Sequence, residues 1–329
     1  MSRPRVLSGI RPTGAGFQLG NYLGAVKHWA TMQDENDCFY FIADLHAMTE
    51  DFEPERLRRR TLEATAELLA MGIDPARSTV FVQSHLAEHT ELAWILGCMT
   101  GFGEASRMTQ FKDKSGGSTQ VSVGLFTYPV LQAADILMYQ ADAVPIGEDQ
   151  RQHLELTRDL AQRFNTRYGE TFTLPGPYAA KQGERIKDLQ EPTRKMSKSL
   201  GGNGTLWVLD EPTVLTKKIK SAVTDLGREV SYDADAKPGI ANLLTIMSVA
   251  TGKAVRELEA AYAGRGYGDF KADVAEAVVE LFAPVRERYA ELVADQAHLE
   301  DLLADGAARA REVATATMSA VRDRVGLLR

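Results

Sequence analysis

Arg194-Lys195-Met196-Ser197-Lys198-Ser199, followed at once by Leu200-Gly201-Gly202-Asn203-Gly204, is the stretch on which the reading of this chain turns. Two lysines three residues apart stand beside small hydroxyl residues and are closed off by three glycines in four positions. Glycine disfavours helix and frees the backbone, so the composition describes a cationic loop rather than a helix face. Such a loop can close over phosphates. Lysine and serine runs also occur on ordinary solvated surface, and the segments around the loop must decide between the two.

Upstream, Ala143-Val144-Pro145-Ile146-Gly147-Glu148-Asp149-Gln150 reads as a strand ending in a glycine and two acids. The helix after it buries Leu156, Leu160 and Phe164. Gly147 leaves room for a base or ribose, while Glu148 and Asp149 can accept sugar hydroxyls or serve only as capping acids. Further upstream, Tyr128 to Tyr139 is helical in composition, with Leu131, Asp135 and Met138 along one side. A carboxylate in so apolar a stretch needs a partner. That partner is either a donor on a ligand or an arginine in a salt bridge.

At the other end of this half, Val6-Leu7-Ser8-Gly9-Ile10 is a buried strand that breaks into Arg11-Pro12-Thr13-Gly14-Ala15-Gly16 and then a helix from Phe17 onward. Strand, glycine-rich turn and helix open a nucleotide-binding α/β fold. Gly14, Gly16 and Gly20 are spaced one residue too widely for the dinucleotide fingerprint. Cys38 to Ala43 is a second apolar strand, and Asp44-Leu45-His46 at its carboxyl end fits a site rim. Leu57, Thr61, Ala64, Leu68 and Met71 form a helical stripe ended by Gly72, and Ser78 to Gln83 is a third strand. Strand and helix alternate as a parallel sheet demands.

Ser84-His85-Leu86-Ala87-Glu88-His89 contains H-x-x-E-H, a zinc-binding pattern when it lies within a helix. Here it follows a strand directly, so a loop and no zinc are expected. His89 and Glu91 instead open the helix that carries Leu92, Ile95, Leu96 and Met99. From Thr100 to Val123 the pattern dissolves into Gly, Ser, Lys and Asp, a polar loop of functional length.

The 329 residues predict two domains. Hydrophobic residues at 44% and charged residues at 25% exclude a disordered chain. No apolar run is long enough to span a membrane and the N-terminus lacks a signal-peptide core, so a cytosolic protein is expected. Cys38 and Cys98 sit in apolar contexts without C-x-x-C spacing and are expected to be buried free thiols. A net charge of −7 confines any RNA contact to local basic patches. Beyond Thr205 no strand is evident. Amphipathic helices follow one another, broken near Pro284 and by Gly264 to Gly268, with a basic cluster at Lys217, Lys218 and Lys220.

Lys195-Met196-Ser197-Lys198-Ser199 resembles the signature loop of class I aminoacyl-tRNA synthetases, and the whole chain looks like the bacterial tryptophanyl-tRNA synthetases. Ser8 to Gly14, Gly20 to Ala25, Ala133 to Leu137, Val144 to Gln150 and the lysine loop occur in that family's order and approximate spacing. The resemblance implies a Rossmann-like parallel-sheet catalytic domain over residues 1–204, with an inserted segment at about 90–135, and a helical anticodon-binding domain with the C-terminal helix over 205–329. It implies that Arg11, Pro12, Thr13, Gly20, Asn21, Gly147, Glu148, Asp149, Ile186, Lys195, Met196, Ser197, Lys198 and Ser199 line an ATP site. Lys195 and Lys198 would be catalytic, and Asp135 would read the indole of L-tryptophan. A cytoplasmic homodimer acting on tRNA(Trp), with Mg²⁺ arriving on ATP, is implied in the same way.

Two positions depart from the family pattern. Gln18-Leu19-Gly20-Asn21 stands where class I enzymes have H-I-G-H, which leaves open how the first position donates to phosphate, although an amide N–H can do so. Gln132 stands where methionine is usual and makes the pocket wall more polar. The chemistry implied is attack of the amino acid carboxylate on the ATP α-phosphorus, loss of pyrophosphate, and transfer to the terminal ribose of tRNA, with the lysines stabilising departing charge. A dinucleotide-dependent oxidoreductase would explain the glycine turn but gives the lysine loop no task. A synthetase-like binding protein and a tyrosine-specific enzyme are the other readings.

Overall fold

The computed structural model describes residues 3–14, 16–108, 121–147, 150–178, 186–196 and 202–328. Its centre is a five-stranded sheet, all strands parallel, in the order β3-β2-β1-β4-β5. The strands are β1 (Arg5–Ile10), β2 (Asp37–Ile42), β3 (Ser78–Val82), β4 (Ala143–Val144) and β5 (Gly176–Pro177). Consecutive residues feed opposite faces of the sheet, and both faces are apolar. Val6, Cys38, Tyr40, Ile42, Val80 and Val82 enter one core, while Leu7, Phe39, Phe41 and Phe81 enter the other. Burial on both sides explains why these strands read as continuous hydrophobic runs.

The first core is closed by the helix after the glycine turn, α1, which runs over Leu19–Asn21, a π-form segment Tyr22–Val26, and Lys27–Met32. It is joined there by α3 (Pro54–Ala70), which follows the short α2 (Asp44–Ala47). The helices beyond 205 belong to the same core: α8 (Pro212–Lys220), α9 (Pro238–Thr251), α10 (Val255–Ala261) and α11 (Tyr267–Ala294). The second core is built by α4 (Glu88–Gly97), α6 (Val123–Met138), α7 (Arg151–Tyr168) and the last helix α12 (Gln296–Val325), with the short α5 (Phe102–Ser106) beside α6. Thus α12 returns to the sheet and lies against β3. Its stripe of Ala307, Ala310 and Ala314 permits close approach, and a Cβ at Gly306 would stand 1.7 Å from the Val80 carbonyl oxygen. Arg309 donates to the carbonyls of Pro75 and Ser78 at 2.8 and 3.2 Å.

Several expectations are corrected here. The strand expected over Ala143 to Gln150 has two residues only, because Pro145 cannot donate to a ladder. β5 lies in a stretch with no strand pattern of its own and pairs β4 through Ala143↔Gly176 and Val144↔Pro177. Helix α6 starts at Val123, where the Ser122 side chain caps it by accepting from Leu125 N. Helix α11 runs through Pro284 unbroken, and the Arg286 guanidinium donates to the neighbouring Val279 carbonyl at 3.0 Å. Cys38 is buried, but Cys98 caps the outer end of α4 and is exposed. Among the described residues no helix is long and apolar enough to cross a membrane.

Candidate functional site

The chain runs from β1 outward to β2 and β3, then crosses back to β4 and β5, so the order reverses between β1 and β4. Ligands of open α/β sheets bind at the carboxyl ends of the strands flanking such a reversal. A cavity of about 630 Å³ opens there, lined by Leu7 to Arg11 from β1 and by Val144, Pro145 and Ile146 from β4. Helix α6 supplies Tyr128, Gln132, Asp135 and Ile136, and Phe41, His46 and Trp29 complete the apolar and basic parts of the wall.

Asp135 is 1% exposed and accepts from three protein groups. Gln83 Nε2 and His89 Nδ1 reach Oδ1 at 2.8 and 2.6 Å, and His46 Nε2 reaches Oδ2 at 2.7 Å. Burial alone would raise this carboxyl, but the adjoining His46 and His89 more than offset it and hold it down to about 2. The partner is therefore neither an arginine nor a ligand alone. Behind His89, the Tyr139 hydroxyl lies 2.9 Å from Nε2. The geometry is braced from outside by Asp44, which accepts from Leu45 N at the start of α2 and from Ser84 N at 3.0 Å, so the segments carrying His46 and Gln83 are clamped together. A second polar row borders the cavity: Gln150 Oε1 lies 2.8 Å from His153 Nδ1 and 3.4 Å from Gln132 Nε2, and Tyr128 Oη lies 3.3 Å from His153 Nε2.

Of the residues expected at the site, Arg11, Thr13, Asn21 and Asp135 line the cavity together. Arg11 is paired with Glu50 at 2.8 Å. Pro12 and Thr13 also border an adjoining hollow of about 300 Å³ beside Phe52 and Arg56. Gly16 has a φ of +102°, which a side chain rarely adopts, and this turns the loop between the two. Among the described residues Asn21 Oδ1 is buried without a partner. Gly147 is exposed past the end of β4. Ile186 and Met196 are 2% and 1% exposed and sit in the first core rather than on the cavity wall. Lys195 is exposed and does not line the cavity. Glu148, Asp149, Ser197, Lys198 and Ser199 lie outside the described residues.

Both flanks of the lysine loop are nevertheless fixed. On the upstream side Lys187 and Lys195 form an antiparallel bridge, with Met196 N donating to Ile186 O at 3.1 Å and Asp188 N to Arg194 O at 2.9 Å. Downstream, Leu19 N donates to Leu206 O and Val208 N to Phe17 O, both at 2.9 Å. The Gln18 amide joins the two motifs directly, donating from Nε2 to Met196 O at 2.9 Å while itself 4% exposed. One hydrogen of the Gln18 amide thus holds the base of the loop.

The residues missed from sequence are Gln83, His89, Tyr128, Tyr139, Gln150 and His153. His46 was legible as part of a rim, and Gln132 as a polar wall, but nothing local ties Gln83 or His89 to Asp135. His89 uses both ring nitrogens on Asp135 and Tyr139, and among the described residues no three His, Cys, Asp or Glu side chains are disposed to hold a metal ion. Elemental analysis of protein purified without added metal is expected to find zinc well below one atom per chain. Stoichiometric zinc would overturn that expectation.

The sequence family of tRNA synthetases class I (W and Y) matches residues 1–283. The chain belongs to this family. It is 58% identical to tryptophan–tRNA ligase 2 of Streptomyces avermitilis over 329 residues, covering 99% of this chain and 98% of that one. It is 56% identical to the tryptophan–tRNA ligase of Corynebacterium glutamicum, covering 98% and 95%. A crystal structure of tryptophanyl-tRNA synthetase from Campylobacter jejuni, complexed with ADP and tryptophan, superposes with a TM-score of 0.89 at 37% identity over 98% of this chain and 100% of that chain. For a class I synthetase the cavity at the β1/β4 reversal is the expected place for activation chemistry, and the tether from Gln18 to Met196 links its two signature segments.

Proposed function

We propose that the chain activates L-tryptophan with ATP, releasing pyrophosphate, and transfers the tryptophanyl group to tRNA(Trp). The observation that carries the choice of amino acid is Asp135, an acceptor-only group at the cavity wall. The indole N–H is a donor with no acceptor function and matches it. Tyr128, Gln132 and Gln150 form the polar row suited to the amino acid's head group. Arg11, Pro12, Thr13, Gly20, Asn21 and Gly147 would bind ATP, with Glu148, Asp149 and the segment Lys195 to Ser199. The unpaired amide oxygen of Asn21 fits the ribose hydroxyls or the adenine amino group. Mg²⁺ would arrive on the phosphates of ATP. No protein nucleophile is required; positioning and charge stabilisation carry the reaction.

Helices α8 to α11 are the proposed anticodon-reading part. Lys218 is removed from the basic cluster as a surface cation, because it is 8% exposed and donates to Thr205 O and Asp210 at 2.8 and 2.6 Å. Lys217 and Lys220 line a shallow cleft between α8 and α11. The test of the whole reading is ATP–pyrophosphate exchange with each of the twenty amino acids, followed by charging of tRNA(Trp). Exchange that depends on another amino acid, or on none, would overturn it.

A homodimer in the cytoplasm completes the proposal. Trp94 on α4, Phe102 on α5 and Val123 on α6 are each at least 75% exposed, and Phe102 stacks near Phe126 at 5.2 Å. These apolar side chains lie on α6 and on the two helices packed against it, and exposed apolar groups of this size are suited to cover by a second copy. Light scattering at micromolar concentration is expected to give twice the 36.1 kDa chain mass, and Trp94→Glu to shift the population towards monomer. A wild-type monomer would count against the dimer.

A further inference from the structure

Counting the lone pairs of Asp135 shows how little of it remains for substrate. A carboxylate offers about four acceptor positions. Gln83 and His89 take both on Oδ1, and His46 takes one on Oδ2. Among the described residues a single position on Oδ2 is left untaken, on the residue that lines the cavity.

Which way that position faces depends on the group gripping Oδ1. His89 is fully buried, packed between the rings of Phe41, Phe81 and Tyr139. Its orientation is set from behind by Tyr139, also fully buried. Burial and the nearby Asp135 charge push the Tyr139 hydroxyl far above its ordinary value, so it remains a donor. Among the described residues its hydrogen has one acceptor, His89 Nε2. Satisfying that hydroxyl places the imidazole proton on Nδ1, where it must point at Oδ1. The tautomer of a buried histidine is thus chosen by a tyrosine and read out by a carboxylate.

We propose that His89, oriented by Tyr139, is a positioning residue for amino acid choice. It turns the one free lone pair of Asp135 into the cavity, so that the site selects an aromatic amino acid bearing a ring N–H. This rests on the tryptophan reading given above and names how that same site enforces it. Neither residue touches the substrate.

The probe is tryptophan against its benzothiophene isostere, β-(3-benzothienyl)alanine, in which sulfur replaces the ring N–H at nearly constant shape. The wild-type protein is expected to favour tryptophan in kcat/KM for pyrophosphate exchange by about 10³-fold or more, as sites built to hydrogen-bond a substrate group do. His89→Leu should lower that ratio by about 10-fold or more, with the KM for ATP unchanged, because the loss lies in orienting one acceptor. His89→Asn, whose amide nitrogen occupies roughly the place of Nδ1, should restore most of the selectivity lost in the leucine variant. A folded His89→Leu with the wild-type ratio would overturn the proposal, as would an asparagine variant no more selective than leucine.

If His89→Leu fails to fold, Tyr139→Phe decides. It removes one oxygen and frees the tautomer, and the ratio should fall by about 3-fold or more. An unchanged ratio overturns the proposal. Failure of the underlying reading is separately visible: wild-type protein without tryptophan-dependent exchange removes the activity, and wild-type protein that accepts both amino acids equally removes Asp135 as the reader.

Discussion

Lys195→Ala and Lys198→Ala are each expected to lower the turnover of tryptophan-dependent pyrophosphate exchange by about 10²-fold or more, with little change in the KM for ATP. The ammonium charges are proposed to act on the departing phosphate oxygens, where negative charge grows only as the bond to the α-phosphorus breaks. Lys195 is exposed and forms no side-chain hydrogen bond among the described residues, so its removal should leave the thermal midpoint in place. Its backbone, by contrast, is held by the Lys187 bridge and by the Gln18 amide on Met196 O. The charge therefore extends from a fixed base. An effect confined to the KM for ATP would show that the lysines bind nucleotide in the ground state instead.

Asp135→Ala is expected to weaken tryptophan activation and to narrow the gap between tryptophan and phenylalanine. Phenylalanine leaves the last lone pair of the buried carboxylate unpaired, which costs about 1–3 kcal/mol or more. Alanine removes that penalty. The substitution also orphans Gln83, His46 and His89, so some of the protein will be lost to misfolding. The ratio of kcat/KM values for two amino acids is independent of the active fraction, and for that reason it is the quantity to measure. An unchanged ratio would make Asp135 a structural partner of its histidines. The carboxyl, held at about 2 against an ordinary 3.8, stays ionised throughout the working range. Its stabilising contribution is complete above about pH 4 and is lost as pH falls from there towards 2.

The central strands were legible because Val6 to Ile10, Cys38 to Ala43 and Ser78 to Val82 feed both cores and carry no polar face. β4 was legible as a strand but not in its length, since Pro145 ends it after two residues, and β5 was not legible, since Gly176-Pro177 has no local strand signature and pairs only because β4 offers an edge. Pro284 was read as a helix end on local grounds, and tertiary packing of α11 against its neighbours overrides that preference. At the site, the need of Asp135 for a partner was visible from its apolar neighbours. The identity of the partners was not, because they arrive from positions 89, 52 and 46 residues away and no periodicity connects them. Gln18 was seen as a substitution for histidine, but its contact with Met196 spans 178 positions and could come only from the fold.

The return of α12 to the sheet has a consequence for biosynthesis. Arg309 and the carbonyl of Pro75 are 234 positions apart, and Gly306 closes against Val80 across a similar interval. At about 5–20 residues per second a ribosome takes on the order of ten seconds or more to cover that distance. During that time β3 lacks the helix that packs against it. A nascent chain stalled before α12 would hold every cavity-lining residue yet present an open sheet face, a natural target for chaperone capture and a poor starting point for catalysis.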